Sequence, residues 1–392
     1  MSRGDIYFLT VECISPLLVN YELAKRVCAT HYSCELNRVA LSEDSVVVTI
    51  KRRIAKASPC YNLKGDTVVN QDVAVLRLKD GWHAGYVATY LNSQFGQQLA
   101  DREKTEQMNP YLPVEKLGNL LIPRISIEAQ AEIDYLVRKR FSFLAESERA
   151  YLRAQQLLES ELGLDKLTFQ KPVSYAARFS DIETSRRFDP EHYYPAFDAF
   201  ANSLPPGISL SPLNRHLTFC QRGQQPIYSA TGLRVMNSKH VQPNRVLLED
   251  NRFAAANPDG NLQIRAGDTL LNGTGRGTLG RAAPYLIDEP AVPDNHVTIL
   301  RSDDLDPVYL SLYLNSAAGQ MQVEMRQRGS SGQLELYPFD IRKFLVWPAP
   351  ESLQEELRRL HDQAAAAECE SKQLLEHAKS RVEQLIEEAA RT

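Results

Sequence analysis

Tyr90-Leu-Asn-Ser-Gln-Phe-Gly-Gln97 recurs as Tyr313-Leu-Asn-Ser-Ala-Ala-Gly-Gln320, with six of eight residues identical at a displacement of 223 positions. The likeness extends outward. Val68-Val-Asn-Gln-Asp-Val-Ala-Val-Leu-Arg77 aligns with Val292-Pro-Asp-Asn-His-Val-Thr-Ile-Leu-Arg301, and Glu43-Asp-Ser-Val-Val aligns with Gly267-Asp-Thr-Leu-Leu, both at 224. Downstream, Leu120-Leu-Ile-Pro-Arg-Ile meets Phe344-Leu-Val-Trp-Pro-Ala, and Gln130-Ala-Glu-Ile meets Gln354-Glu-Glu-Leu. A displacement held over so many segments means that one structural unit is present twice.

Each copy runs into a helical pattern. Leu136, Phe143, Ala150 and Leu157, with Val137, Leu144, Tyr151 and Leu158, form two seven-residue series in the first. Leu353, Leu360, Ala367 and Leu374, with Leu357, Ala364, Ser371, Ala378 and Leu385, form them in the second. Seven-residue spacing marks helices that pack along one another. The order is therefore domain, helix, domain, helix, each helix about 50–60 Å long at 1.5 Å per residue. We expect a mixed α/β (α+β) protein whose two long antiparallel helices space the globular domains. Boundaries fall at 1–126 (first domain), 127–166 (central helix), 176–350 (second domain) and 351–392 (C-terminal helix), with Gly163 to Ser174, including Pro172, as linker.

The copies are unequal. The first correspondence pairs Leu9 with Leu233, so residues 176–231 of the second copy, which carry Arg186-Arg187-Phe-Asp-Pro-Glu-His-Tyr-Tyr194 and Gln221-Arg-Gly-Gln-Gln225, have no partner in the first. The first domain is expected to lack its opening third, or to receive it from an upstream chain or a second copy.

With 392 residues, 43% hydrophobic and 24% charged, the chain can build two full cores. Met-Ser-Arg-Gly-Asp does not read as a leader and no uncharged apolar run of about 18 residues occurs, so we expect a cytoplasmic protein without a membrane-spanning helix. Its six cysteines follow no disulfide framework. Cys28-x-x-His31-x-x-Cys34 offers three metal ligands but no second pair, so an ordinary partly buried segment is the better reading and no metal is expected. Net charge is −4, with the acid concentrated in the helical segments, while 176–350 holds 15 Arg and only 2 Lys. Arginine pairs bidentately with phosphate and with guanine edges, so a nearly neutral Arg-rich domain remains compatible with DNA.

Gly267-Asp-Thr-Leu-Leu-Asn-Gly-Thr-Gly-Arg-Gly-Thr-Leu-Gly-Arg281, then Asp294-Asn-His296, Tyr313-Leu-Asn-Ser316, Gly329-Ser-Ser-Gly-Gln333 and Pro348-Ala-Pro350 before a helix together resemble the target recognition domain of type I restriction-modification specificity subunits. The resemblance covers 176–392 in full and 8–163 as a divergent copy. It implies a non-catalytic reader of a bipartite double-stranded DNA target, partnered by DNA adenine methyltransferase subunits that carry the S-adenosylmethionine, with a nuclease subunit where the complex also restricts. The chain itself then needs no cofactor.

Candidate DNA contacts follow from loop chemistry. The glycine-rich turn contributes Asn272, Thr274, Arg276, Thr278 and Arg281, where a backbone can pass close to phosphate; a turn needing only positive φ is the alternative. Asn295 and His296 follow, His296 being more simply a hydrogen-bonding turn residue, and Arg222 joins them from the unmatched segment. The second loop offers Arg326, Arg328, Ser330, Ser331 and Gln333, since Arg to guanine and Gln to adenine are usual base contacts. In the first copy the aligned residues are Lys51, Arg52, Arg53 and Lys56, then Arg102 and Lys104, with a solvated basic hairpin as the bland reading. No methylation motif, zinc-protease motif, nucleophile elbow, phosphate loop or nuclease cluster is present, so catalytic residues are expected to be none. An autonomous DNA-modifying enzyme with a duplicated domain, or a helical interaction scaffold, are the competing readings.

Overall fold

The computed structural model describes residues 5–28, 39–105, 108–167, 174–255, 262–275, 277–329 and 334–391. In the first copy, besides a two-residue hairpin pairing Ile14–Ser15 with Leu18–Val19, the strands are β1 (Ile6–Leu9), β2 (Lys25–Val27), β3 (Val46–Thr49), β4 (Ala57–Pro59), β5 (Thr67–Val69) and β6 (Val73–Leu76). The helices α1 (Ala84–Asn92), α2 (Gln94–Glu103), α3 (Val114–Gly118) and the long α4 (Ile127–Glu161) follow. The second copy, after a short helix Phe179–Ser185, contains α5 (Ala196–Asn202), β7 (Ser211–Pro212) and β8 (Leu217–Arg222). It continues through β9 (Leu233–Met236), β10 (Asp268–Asn272), β11 (Ala282–Tyr285), β12 (Ala291–Pro293) and β13 (Val297–Ser302). It closes with α6 (Pro307–Asn315), α7 (Ala317–Arg326), α8 (Pro338–Ile341), β14 (Leu345–Val346) and the long α9 (Glu351–Arg391). The class is mixed α/β with two long helices, as the sequence implies.

The repeat is a repeat of hydrogen bonds as well as letters. Asn92 Nδ2 donates to Ala57 O and Ala88 O at 2.7 Å while its Oδ1 accepts from Ala57 N at 3.2 Å. Asn315 does the same to Ala282 and Ser311. Ser93 and Ser316 each cap the next helix by accepting from Gly96 and Gly319. Gln97 and Gln320 donate to Leu91 O and Leu314 O, and Gln130 and Gln354 accept from the backbone of His83 and Asp306. These side chains recur because each latches a helix to its neighbouring strand, loop or helix, and no apolar residue could satisfy the same buried amides.

Two alignments shift once the strands are paired. β1 runs parallel to β5 with Leu9 opposite Val69, and β9 runs parallel to β12 with Met236 opposite Pro293. The counterpart of Leu9 is therefore Met236, not Leu233. Likewise Val47 packs in the cluster of Leu9, and Leu270 in that of Met236, so their separation is 223 rather than 224. A slip of one residue would turn every side chain to the wrong face. β3 and β10 are buried throughout, so their sequences carry no alternation to reveal it.

Two compact units divide both long helices between them. One comprises 1–148 and 365–392, the other 149–364, so each long helix contributes to both. In the first unit α4 and α9 meet antiparallel: Glu132 pairs with Arg381, and Arg140 donates to Ser371 O at 2.8 Å and Ser371 Oγ at 2.6 Å. Arg140 is 5% exposed, and burial pulls its guanidinium down to about 10. In the second unit Leu158 and Leu360 share one core cluster, and Tyr151 meets His361 edge-on. Along α9 both seven-residue series are buried from Leu357 to Ala378. Along α4 the buried stripe includes Gln130, Asp134, Arg140 and Ser147, which a search for apolar periodicity passes over.

The inequality of the copies is visible within each unit. In the second, β8 pairs antiparallel with β13 and β7 with β14. In the first, the three-stranded sheet β4-β3-β6 leaves β6, the counterpart of β13, without a second strand among the described residues. Leu121, the counterpart of Leu345, is 76% exposed.

Candidate nucleic-acid interface

Four stretches far apart in the second copy converge. The strand β10 ends at Asn272, and the following turn is closed by Gly273 N donating to His296 O at 2.7 Å. Leu336 N donates to Gly273 O at 2.8 Å, and Thr274 bridges Glu335. Arg328 and Glu335 exchange backbone bonds of 2.7 and 2.8 Å, zipping the second loop at its base. Arg222, at the end of β8, donates Nε to Asn295 O and lies 3.6 Å from Glu335. The turn after β10, the 294–296 corner, the 327–337 loop and the end of β8 thus form one site.

Within it the side chains are tightly employed. Thr274 Oγ1 lies 2.6 Å from His296 Nδ1, and His296 N donates to Asp294 Oδ1 at 2.9 Å, so His296 is the hydrogen-bonding turn residue that its position suggested. Burial pushes the Asp294 carboxyl above its ordinary value, opposed by the His296 backbone N–H and by Arg222. Glu335 is held below the carboxylate range by the Tyr337 hydroxyl and by Arg222. Arg328 makes a bidentate pair with Asp340 at 2.8 and 3.1 Å. Its replacement by alanine would strand a carboxylate that is 3% exposed, so Arg328 has a structural duty that the sequence did not suggest.

Other expected contact residues take different places. Asn272 is fully buried, its amide donating to Ser238 O and Val241 O at 3.0 and 3.1 Å. It fastens the turn from below and leaves the set of contact residues. Thr278 donates to Thr274 O, and Arg281 donates to Gln242 at 3.0 Å. Arg326 is half-buried, and burial lowers its guanidinium pKa. Asn295 is half-buried beside Arg222. Gly275, Gly277 and Gly280 have φ of 99°, 81° and 79°, so the turn needs its glycines for conformation whatever it binds. Arg276, Ser330, Ser331 and Gln333 lie outside the described residues, as do His31 and Cys34.

The unmatched segment braces this site. Arg187, 7% exposed, donates to both Asp189 oxygens, to Arg326 O at 3.3 Å and to Gln327 O at 2.6 Å. His192 Nδ1 lies 3.0 Å from Met325 O. A cavity of about 660 Å³ opens between Arg187, Phe188, Gln327 and Arg328. Arginine's planar fork suits two carboxylate oxygens and two carbonyls at once. Arg187→Ala is expected to lower the protection of the Arg328 and Glu335 amides in hydrogen exchange by about 2 kcal/mol; unchanged exchange would show that Arg187 does not brace the loop.

The first copy repeats this backbone frame. Ile50 N donates to Asp72 O, Leu112 N to Ile50 O and Thr105 N to Tyr111 O, while Lys51 bridges Tyr111. Each bond has its counterpart in the second copy at a displacement of 223 or 224. Upon that frame Lys51 pairs with Asp72 at 2.9 Å and lies 5.4 Å over the Tyr111 ring. Arg52 pairs with Glu12 and Lys104 with Asp101, both on the surface. Lys56 donates to Gln97, and burial lowers its pKa. Arg53 is exposed, and Arg102 is 70% exposed beside Glu103. Asp72, Tyr111, Glu335 and Arg187 were not read from the sequence as site residues. The alignment that sets Asp72 opposite His296 was the available signal for the first of them.

Neither a protein-family description nor a curated protein matches the chain. Among solved structures it is similar to a chain from work on complex assembly and conformational transition of the type I R-M system, at 14% identity and TM-score 0.34, covering 96% of this chain and 90% of that one. It is similar to the type I restriction-modification S subunit from M. genitalium, at 9% identity and TM-score 0.45, covering 98% and 89%. It is also similar to the HsdS subunit from Thermoanaerobacter tengcongensis, at 15% identity and TM-score 0.29, covering 96% and 89%.

Proposed function

We propose that the chain is the DNA-recognition subunit of a type I-like restriction-modification complex, reading the two halves of a bipartite duplex target. The observation that carries this reading is the duplicated backbone frame, whose polar side chains are kept at the latches and changed at the site. A backbone frame shared by both copies, with different side chains at its tips, suits two different half-sites. Its role is to position an adenine methyltransferase, which holds the S-adenosylmethionine, and a nuclease subunit where the complex restricts. The chain supplies contacts rather than chemistry. Of the residues expected to touch DNA, exposed Arg53 and Arg102 suit phosphate, and the Arg222 and His296 corner suits base edges.

The test is equilibrium binding of the full chain to a randomised duplex pool across a salt series. Affinity should fall linearly with log salt, because phosphate contacts release counterions. Arg53→Ala and Arg276→Ala should each reduce the slope by about one unit. Binding without salt dependence, or methyl transfer by the chain alone, would remove the reading.

A further inference from the structure

We infer that three positions on the duplicated frame set what each domain reads: Lys51, Asp72 and Tyr111 in the first copy, and Thr274, His296 and Glu335 in the second. The inference rests on the DNA-recognition reading and goes beyond it by assigning specificity to particular side chains.

The repeat supplies its own control. Where a side chain latches a helix, the copies agree, as at Asn92 and Asn315, Ser93 and Ser316, Gln97 and Gln320, and Gln130 and Gln354. Where the same backbone bonds close the site, Leu112 and Leu336 agree, but the side chains at these three positions change. Position one carries an ammonium in one copy and a hydroxyl in the other, position two a carboxylate or an imidazole, position three a phenol or a carboxylate. Yet positions one and two remain in direct contact in both, at 2.9 Å for Lys51 with Asp72 and 2.6 Å for Thr274 with His296. A scaffold that holds its frame and its contact while altering the groups is one whose variation is spent on a ligand.

The groups also differ in what they can recognise. Lys51, 41% exposed, offers donors only, which suits guanine O6 and N7, and Asp72, 19% exposed, offers acceptors only, which suits cytosine N4. In the second copy Thr274 is 8% exposed and orients His296 rather than reaching outward. Glu335, 36% exposed, accepts, with Arg222 beside it to donate. The first copy therefore presents an ion pair against a phenol. The second presents an imidazole beside a carboxylate and a guanidinium.

The experiment transplants the first constellation into the second copy, as Thr274→Lys, His296→Asp and Glu335→Tyr in the full chain, and selects bound sites from a randomised duplex pool. One half of the selected site should change its preferred bases by about tenfold or more per altered position, while the other half stays as in the unmodified chain. Glu335→Gln and Asp72→Asn, made singly, carry the test if the triple variant does not melt cooperatively, and each should alter one half only. Folded variants that bind DNA and select both halves unchanged would overturn the assignment alone. An unmodified chain that selects no sequence would overturn the DNA-recognition reading and this assignment with it.

Discussion

Removing residues 149–173 from the second unit is expected to abolish its cooperative unfolding. A fragment spanning 149–364 should unfold in one step in urea, whereas 174–364 should show a broad, non-cooperative change. The reason lies in the core. Leu158, Leu162 and Leu164 are at most 5% exposed and belong to the cluster that includes Phe200, Tyr309, Leu357 and Leu360. Burying a leucine stabilises by about 1.5–3 kcal/mol, so the three contribute about 5–9 kcal/mol. That is comparable with the whole stability of a domain, about 5–15 kcal/mol. Trp347, 8% exposed in this unit, provides the fluorescence readout. Equal urea midpoints for the two fragments would show that the end of α4 and the residues just after it do not complete this core.

The same residues show what the sequence could and could not reveal. The repeat was legible because its latches need particular atoms. Ala57 or Ala282 must be answered on both its N–H and C=O, and the carboxamide of Asn or Gln does this with an acceptor oxygen and a donor nitrogen on separate atoms of one planar group. The long helices were legible from their spacing, most plainly in α9. The partition of the helices between two units was not, because heptads state that a face is covered and not by which neighbour. Strand registers were hidden for a related reason: a strand buried on both faces has no alternation to count.

At the site the difficulty was of another kind. Loop composition pointed to Arg222, Thr274, His296 and Arg328, and these do converge, the last three through backbone bonds to Gly273 or Glu335 or through the bridge to Glu335, and Arg222 through its side chain. It could not distinguish an arginine that faces solvent from one spent on a neighbour. Arg328 is committed to Asp340, and Arg187, the most heavily bonded of the arginines described here, stood in a segment with no counterpart in the first copy. Acidic residues were passed over because a search for DNA contacts favours cations. Asp72 and Glu335 emerge only when the two copies are superposed bond by bond.

Gly319→Ala and Gly96→Ala are expected to destabilise their respective units by more than about 3 kcal/mol, beyond the usual range for overpacking. Both glycines stand in the first turn of the second helix of a pair, where it presses on the last turn of the first. A Cβ on Gly319 would lie 2.3 Å from Leu314 O and 2.5 Å from Leu314 Cα, and one on Gly96 would lie 2.2 Å from Tyr90 O and 2.7 Å from Leu91 Cα. These are backbone atoms, which cannot rotate aside as a side-chain end can. Separation of the helices is the only relief, and it would break the Ser316 or Ser93 cap and the Gln320 or Gln97 latch. Gly81→Ala is the contrasting case: its φ is +84° with nothing within 4 Å of the added carbon, so only conformational strain of about 1–2 kcal/mol is expected. Trp82 lies in the first unit and Trp347 in the second, so tryptophan fluorescence assigns each loss to its unit when the complementary residue is replaced by phenylalanine. Midpoints for Gly319→Ala and Gly96→Ala no lower than that of Gly81→Ala would mean that the two helix pairs are looser than their geometry implies. The close approach that the repeated glycine was taken to permit would then not be what fixes the repeat.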